Sequence, residues 1–453
     1  MLLRFGVSNY RSIKNYQEVS FVATSITDKS ADLLSSSMKE KILPTIAIYG
    51  GNATGKTNIL KALRFLRNSV VRSHLNFSDN ENISRNHFKL NKDCETEPSK
   101  FDCDFIIENI RYHYGFLIND KVVIEEWLYS FPVNHRRIWF HRNINESDEF
   151  YYGKDLKGKN KIIESFTRSN SLFLSAAAQN NHKQLTPIYE FFKDRFVFDF
   201  ARGEVSVDTI EGYLIDAQER KWLMKFLTSA DLGIVDVTVE SSVSSSDPND
   251  EFGKDLYTLI QKHISNDSLT ESKFLESIKK AIKIKHTCRD GSTQTFPIEY
   301  ESLGTRKLIA LLGPVYEVLN SGSILVVDEM DTSIHPLLSR KLIELFQNKD
   351  TNKNGAQTAE PILFVERVKK HLKISKDLRM PSTAQLAKDK VLGYPLPALI
   401  FPSYAVCKYC NRLHHKPWSR AEKDISKELL CDNCGKTGLE QVTWCAVSSK
   451  GGL

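Results

Sequence analysis

The sequence predicts an α/β protein: a mixed and parallel sheet flanked by helices, an antiparallel β meander, and a small cysteine-bearing segment at the C-terminal end. Three observations predict it. Two short β-rich runs, 44–49 and 323–327, stand next to strongly helical patterns; period-two alternation fills 101–129; and five of the eight cysteines cluster after residue 406.

Taken in order, residues 2–7 alternate apolar with other side chains, as an opening strand does. Residues 44–49 form a second strand that runs into glycines. From 57 to 71, Ile59, Leu60, Leu63, Leu66 and Val70 recur at helical intervals, which gives strand, glycine loop, helix. Three alternating runs at 101–129, separated by Glu108-Asn109 and Asn119-Asp120, predict the antiparallel meander. A variable, mainly helical region follows at about 180–290, with helices predicted at 185–191, 217–229 and 271–283 and a Ser- and Asp-rich linker at 241–250. A helix at 305–319 precedes the apolar strand 323–327; 337–346 reads as helix and 349–357 as loop. No internal repeat is present.

With 453 residues, 41% hydrophobic and 26% charged, the composition is that of a soluble protein of two or three domains, and it excludes collagen, coiled-coil and disordered classes. No apolar run approaches the roughly 18 residues a membrane span needs, and the first residues are charged too early for a signal peptide, so a cytoplasmic protein is expected. Residues 358–453 carry 16 Lys and Arg against 9 Asp and Glu, whereas 1–357 carry 46 against 47, so the net charge of +6 belongs to the C-terminal fifth.

Gly50-Gly51-Asn52-Ala53-Thr54-Gly55-Lys56-Thr57 fits the phosphate-binding pattern GxxxxGK[ST] and lies between a predicted strand and a predicted helix, the context that pattern requires. Glycines let backbone N–H groups converge on phosphate oxygens, and the helix N-terminus adds positive potential. Lys56 is expected to reach the β- and γ-phosphates of ATP, and the Thr57 hydroxyl to bind Mg²⁺.

The second apolar strand ends in Asp328-Glu329. Two adjacent carboxylates at the end of a buried strand are costly without partners. Mg²⁺ is the expected partner of Asp328, and Glu329 is then suited to polarise an attacking water. Upstream, Ser302, Gly304 and Thr305 open a helix; taken alone, Ser302 is an N-cap, but a helix start also offers a hydroxyl and free N–H groups to an anion.

Residues 1–357 resemble the ATP-binding-cassette class of ATPases related to recombination and chromosome-structure proteins of the RecF and SMC types. More narrowly, they resemble prokaryotic AAA-type ATPases of abortive-infection and overcoming-lysogenisation-defect-like systems. Four stretches carry the resemblance, in the family's order: Leu3 to Ile13, the loop Gly50 to Thr57, the signature-like Ser302-Leu303-Gly304-Thr305-Arg306-Lys307, and Asp328-Glu329-Met330-Asp331-Thr332-Ser333-Ile334-His335-Pro336. The resemblance implies a homodimer that sandwiches ATP, with Ser302, Gly304 and Thr305 acting in trans and Asp331 to His335 along the interface. The family's glutamine-bearing loop is not assigned, although His87-Phe88-Lys89-Leu90 lies in the corresponding region. The family continues into a strand and a switch histidine, but from Thr358 to Glu366 this sequence shows no such histidine: Leu363-Phe364-Val365 suits the strand, while Glu366 cannot replace the histidine, which puts turnover in question.

Cys407-Lys408-Tyr409-Cys410 and Cys431-Asp432-Asn433-Cys434, twenty residues apart, have the spacing of a structural zinc site with four thiolates and no open position. His414 and His415 read as surface histidines and Cys445 as a buried thiol. The segment from about Arg379, with Phe401-Pro402-Ser403-Tyr404 and 447–453, resembles the start of the zinc-ribbon protein of the DISARM anti-phage system, whose members run on past this length, so Leu453 reads as a truncated end. The predicted domains are an ATPase head at 1–357, incomplete at its C-terminal end, a linker at 358–400 and a zinc-ribbon-like segment at 401–453. Such a join near Gln357 suggests a gene fusion, a frameshift or an assembly artefact. Two functions compete: an ATPase whose dimerisation gates an effector protein or nucleic-acid partner, and a nucleotide-holding module whose basic zinc ribbon docks on nucleic acid or protein. No nuclease constellation is present in the sequence.

Overall fold

The computed structural model describes residues 1–23, 32–35, 41–48, 55–76, 82–132, 135–199, 205–230, 232–241, 258, 280–328, 330, 334–360, 404–407, 413–415 and 439–442. The chain divides into one unit made of Met1–Phe198, Leu319–Met330 and Ile343–Leu453, and a second made of Asp199–Val318 and Asp331–Leu342.

The first unit begins with β1 (Leu2–Ser8), β2 (Gln17–Ser20), β3 (Thr45–Ala47) and the helix α1 (Lys56–Asn76). Next come β4 (Ser99–Ile107), β5 (Ile110–Ile118), β6 (Val123–Phe131), β7 (Arg137–Asn143) and β8 (Phe150–Tyr152). Three helices follow, α2 (Asn160–Phe166), α3 (Phe173–Gln179) and α4 (Thr186–Asp194), and then β9 (Phe196–Asp199).

Among the described residues β1, β2 and β4 to β8 form one antiparallel sheet in the order β2-β1-β4-β5-β6-β7-β8, so the meander gains two strands beyond the three predicted and takes in the N-terminal pair. Both faces of β4 are buried, for different reasons. Phe101, Cys103 and Phe105 face the core, where Phe105 stacks on Phe191 of α4 with ring centroids 4.6 Å apart. Asp102 and Asp104 point the other way and are covered by a cross-strand ionic cluster: Arg4 bonds Asp102 and Asp104 at 2.9 and 3.0 Å, His113 Nδ1 meets Asp104 at 2.6 Å, and Arg111 also pairs with Asp104. Burial alone would raise the Asp104 pKa, but the His113 hydrogen bond and the Arg4, His113 and Arg111 charges outweigh it and hold the carboxyl at about 2.

The second unit contains α5 (Val207–Ile215), α6 (Ala217–Ser229), β10 (Ile234–Ser241), β11 (Lys280–Thr287) and β12 (Thr293–Pro297). Asp216 caps α6 by accepting from Gln218 and Glu219 N–H at 2.9 and 2.8 Å. The helix predicted at 271–283 is corrected here over Lys280–Lys283, which is strand, while 271–279 lie outside the described residues. Alternation of Ile282 and Ile284 with lysines suits an antiparallel partner, and β10 supplies one from Val237↔Ile284 to Ser241↔Lys280. The region predicted to be mainly helical therefore also holds an antiparallel sheet, β10-β11-β12.

Then come α7 (Leu303–Ser321), β13 (Ile324–Val327), α8 (Pro336–Gln347) and β14 (Gln357–Glu360). In the second unit α7 packs close to α5: a Cβ on Gly313 would lie 1.8 Å from the Tyr213 ring, so only glycine admits that approach. In the first unit β3, β14, β13 and β9 form a further sheet in that order, and β14 is parallel to both β3 and β13.

Gln357–Glu360 thus occupies the middle of the parallel sheet. The strand expected at Leu363-Phe364-Val365 lies outside the described residues, and the boundary read at 357 falls on the first residue of a strand. Gln357 is fully buried; its Oε1 accepts from Leu2 N–H at 2.7 Å and its Nε2 donates to Leu2 O at 2.9 Å, imitating a strand partner and tying β14 to β1. The loop before it is organised by Asn352, which donates to Phe346 O and Ala356 O and accepts from Ala356 N–H.

At the C-terminal end β15 (Tyr404–Cys407), β16 (Leu413–His415) and β17 (Leu439–Val442) pair antiparallel in the order β16-β15-β17. Among the described residues no helix is long and apolar enough to cross a membrane.

Candidate functional site

The site is set up by strand direction. Ala359 of β14 is in register with Val326 on one side and with Ile46 on the other. Because all three strands run the same way, Asp328 and the segment after Ala47 emerge at the same end of the sheet, the carboxyl end at which open α/β folds take their ligands. Gly55 turns the chain into α1: its φ of +99° is open to glycine and strained for other residues, and its carbonyl accepts from Asn58 and Ile59 N–H. Lys56 and Thr57 are therefore the first residues of the helix, where the helix dipole favours an anion.

Thr57 Oγ1 donates to Asp328 Oδ1 at 3.2 Å across 271 residues of sequence. Both side chains are half-buried. A hydroxyl and a carboxylate held together beside a helix N-terminus form an oxygen donor set that would suit Mg²⁺. Gly50, Gly51, Asn52, Ala53, Thr54, Glu329 and Asp331 lie outside the described residues.

One further contact fixes the start of α1, and a second set holds the turn that it reaches. Asn58 Nδ2 donates to Ser12 Oγ at 2.8 Å, tying the first turn of α1 to the tight turn after β1. That turn carries Asn9 and Arg11 at φ of +51°. Asn9 is buried, donates to Cys94 O and Glu97 O at 2.8 Å each, and accepts from Phe88 N–H at 2.9 Å. The family-like stretch Leu3 to Ile13 thus connects the phosphate-loop helix with the segment that holds His87 and Phe88. The signal available in the sequence was an Asn directly after Gly-Lys-Thr.

In the second unit Ser302 stands just ahead of α7 as its N-cap. Its Oγ accepts from Thr305 N–H at 3.0 Å and lies 2.9 Å from Thr305 Oγ1. The turn is open to solvent, and Tyr300 and Leu303 beside it are 79% and 49% exposed. His335 is exposed and begins α8, its Nδ1 accepting from Leu337 N–H and its carbonyl from Leu338 N–H. Cys407 ends β15, while Cys410, Cys431 and Cys434 lie outside the described residues.

A glycine-bearing strand-to-helix turn with lysine and threonine at the helix start, facing an aspartate at the end of a parallel strand, defines a P-loop nucleotide-binding domain of the ATPase type. The family described as "AAA domain, putative AbiEii toxin, Type IV TA system" matches residues 46–358, and the chain belongs to that family. A domain of unknown function, DUF8724, matches residues 321–453. This second match starts before β13 and covers both sides of the suspected join near Gln357, so the stretch on either side of it recurs as one unit in a family. No curated protein matches the chain.

Proposed function

We propose that the chain is an ATP-binding and ATP-hydrolysing enzyme whose nucleotide-dependent dimerisation gates an effector of anti-phage defence or a nucleic-acid-processing partner. The observation that carries this reading is the meeting of Thr57 and Asp328 at the carboxyl ends of parallel strands. Lys56 and the loop from Gly50 to Thr57 hold the phosphates, and Thr57 and Asp328 hold Mg²⁺, which when bound offsets charge on the β- and γ-phosphates. Glu329, next to Asp328, orients the attacking water and takes its proton.

Ser302, Gly304 and Thr305 face the phosphates of a second copy. Ser302 Oγ accepts from Thr305 N–H and shares one hydrogen with Thr305 Oγ1, so the pair of hydroxyls keeps one hydrogen to donate to a phosphate oxygen. Tyr300 and Leu303 offer exposed apolar surface around it for a second copy to cover, and Asp331 and His335 line the same interface.

The C-terminal segment holds a structural Zn²⁺ on Cys407, Cys410, Cys431 and Cys434. What supports this is the register Cys407↔Leu439: Cys434 is only five residues before Leu439, so the second Cys pair is within easy chain reach of the first. His415 pairs with Tyr404, at the opposite end of β15 from Cys407.

The test is steady-state phosphate release by the full chain and by Glu329→Gln, with light scattering of Glu329→Gln in the presence and absence of Mg²⁺-ATP. The expected result is turnover that the substitution abolishes and an ATP-dependent shift from monomer to dimer. Turnover that survives in Glu329→Gln removes Glu329 as the base. Binding without turnover in the unaltered chain selects the second reading, a nucleotide-holding module with a basic zinc ribbon docking on nucleic acid or protein. The observation favouring that reading is the sequence after β14, Pro361 to Glu366, which has no histidine.

A further inference from the structure

The residue before Ser302 is an acid. Glu301 sits at the last position before the α7 cap, with its N–H donating to Ile298 O at 3.0 Å, so its backbone is fixed by the preceding 3₁₀ turn, Ile298–Tyr300. A helix start leaves its first N–H groups without intrahelical acceptors and attracts whatever anion is nearest. Left to itself, that anion is the Glu301 carboxylate. In the structure the carboxylate is turned away: His286 Nε2, on β11, donates to Glu301 Oε1 at 2.6 Å, and the two side chains are only 24% and 13% exposed. The His286 ring is itself held in place. Phe296 of β12 meets it edge-on with centroids 6.0 Å apart. Backbone pairing of His286 with Ile234 and Gln294 anchors it between two strands.

We propose that His286 is a positioning residue for the phosphate-facing turn at Ser302: by holding Glu301 against the β10-β11-β12 sheet, it keeps this chain's own carboxylate off the first N–H groups of α7 and leaves them to a phosphate of ATP carried by a second copy. The proposal rests on the reading of Ser302 and Gly304 as groups acting in trans. It also assigns an order of effects that a purely architectural pair would not produce. Removing His286 alone frees a carboxylate beside the incoming phosphate and is harmful; removing the Glu301 charge alone is mild; and removing both cancels the harm.

The experiment is hydrogen–deuterium exchange of the full chain titrated with Mg²⁺ and a non-hydrolysable ATP analogue, read at peptides covering 300–308 and 55–60. In the unaltered chain both peptides gain protection. For His286→Gln the analogue concentration giving half-maximal protection at 300–308 rises about fivefold, a loss of the size expected for one misplaced charge at a helix start. Glu301→Gln, and the double substitution His286→Gln with Glu301→Gln, stay within about twofold of the unaltered chain. The proposal is overturned if His286→Gln titrates like the unaltered chain, or if the double substitution remains as weak as His286→Gln. Should His286→Gln fail to fold, Glu301→Gln decides: a loss of about fivefold in that variant contradicts a carboxylate that has to be kept away. Protection at 55–60 without protection at 300–308 in the unaltered chain overturns the trans reading and this proposal with it. That outcome is distinct from a failure of the proposal alone, in which 300–308 is protected but indifferent to His286.

Discussion

Gln357→Ala is the substitution whose cost follows most directly from the geometry. Gln357 is fully buried and satisfies both backbone groups of Leu2, at 2.7 and 2.9 Å. Truncation leaves one N–H and one C=O without a partner in the interior, and each such group costs about 1–3 kcal/mol, giving a destabilisation of about 2–6 kcal/mol. With a urea dependence of about 2 kcal/mol per molar, the midpoint of the transition that involves β1 falls by about 1–3 M. Urea denaturation followed by amide exchange at residues 1–8 reads that transition locally, which avoids treating a chain of two units as one cooperative system. Gln357→Met keeps the shape and removes both bonds, so most of the loss remains in that variant. A midpoint unchanged by either substitution refutes the argument that Gln357 ties the two sheets of the first unit together, and with it the view that β14 completes the parallel sheet.

Two other outcomes follow from the same structure. Asp104→Asn costs about 2 kcal/mol near neutral pH, the linkage equivalent of a carboxyl held at about 2 against an ordinary 3.8. Because the folded pKa is depressed, that stabilisation is present above pH 3.8 and is lost as pH falls through 2; acid titration of stability is therefore flatter in the variant over this window, and an unchanged acid limb contradicts the assignment. Metal analysis of the full chain yields one zinc per molecule, which Cys431→Ser or Cys434→Ser abolishes while Mg²⁺-ATP binding persists; a zinc-free chain removes the proposed ribbon.

What the sequence revealed and what it hid have physical causes. The strand before the loop, the turn at Gly55 and the helix behind it were legible because backbone conformation and chemistry there are local: glycine for a left-handed φ, lysine and threonine at the helix start, apolar residues at helical spacing behind them. Asp328 was legible because the all-apolar strand before it ends abruptly in charge. β14 was not, since Gln-Thr-Ala-Glu has no local strand signal; it is a strand because β3 and β13 flank it on both sides and Gln357 reaches Leu2. β11 was misread because lysines alternating with isoleucines resemble the end of an amphipathic helix when the partner strand, some forty residues upstream, is not visible. The pairing of His286 with Glu301 and of Ser12 with Asn58 depends on contacts between distant segments, which no spacing rule encodes.

The claim on which the rest depends is that Lys56, Thr57 and Asp328 form one Mg²⁺-ATP site. Titration calorimetry of Mg²⁺-ATP into the full chain, beside Lys56→Ala and Asp328→Asn, tests it. The account predicts saturable binding of one nucleotide per chain, weakened at least about tenfold in Lys56→Ala through loss of charge-assisted bonds to phosphate, with Asp328→Asn removing the Mg²⁺ dependence. Binding of equal affinity in the unaltered chain and in Lys56→Ala would contradict it.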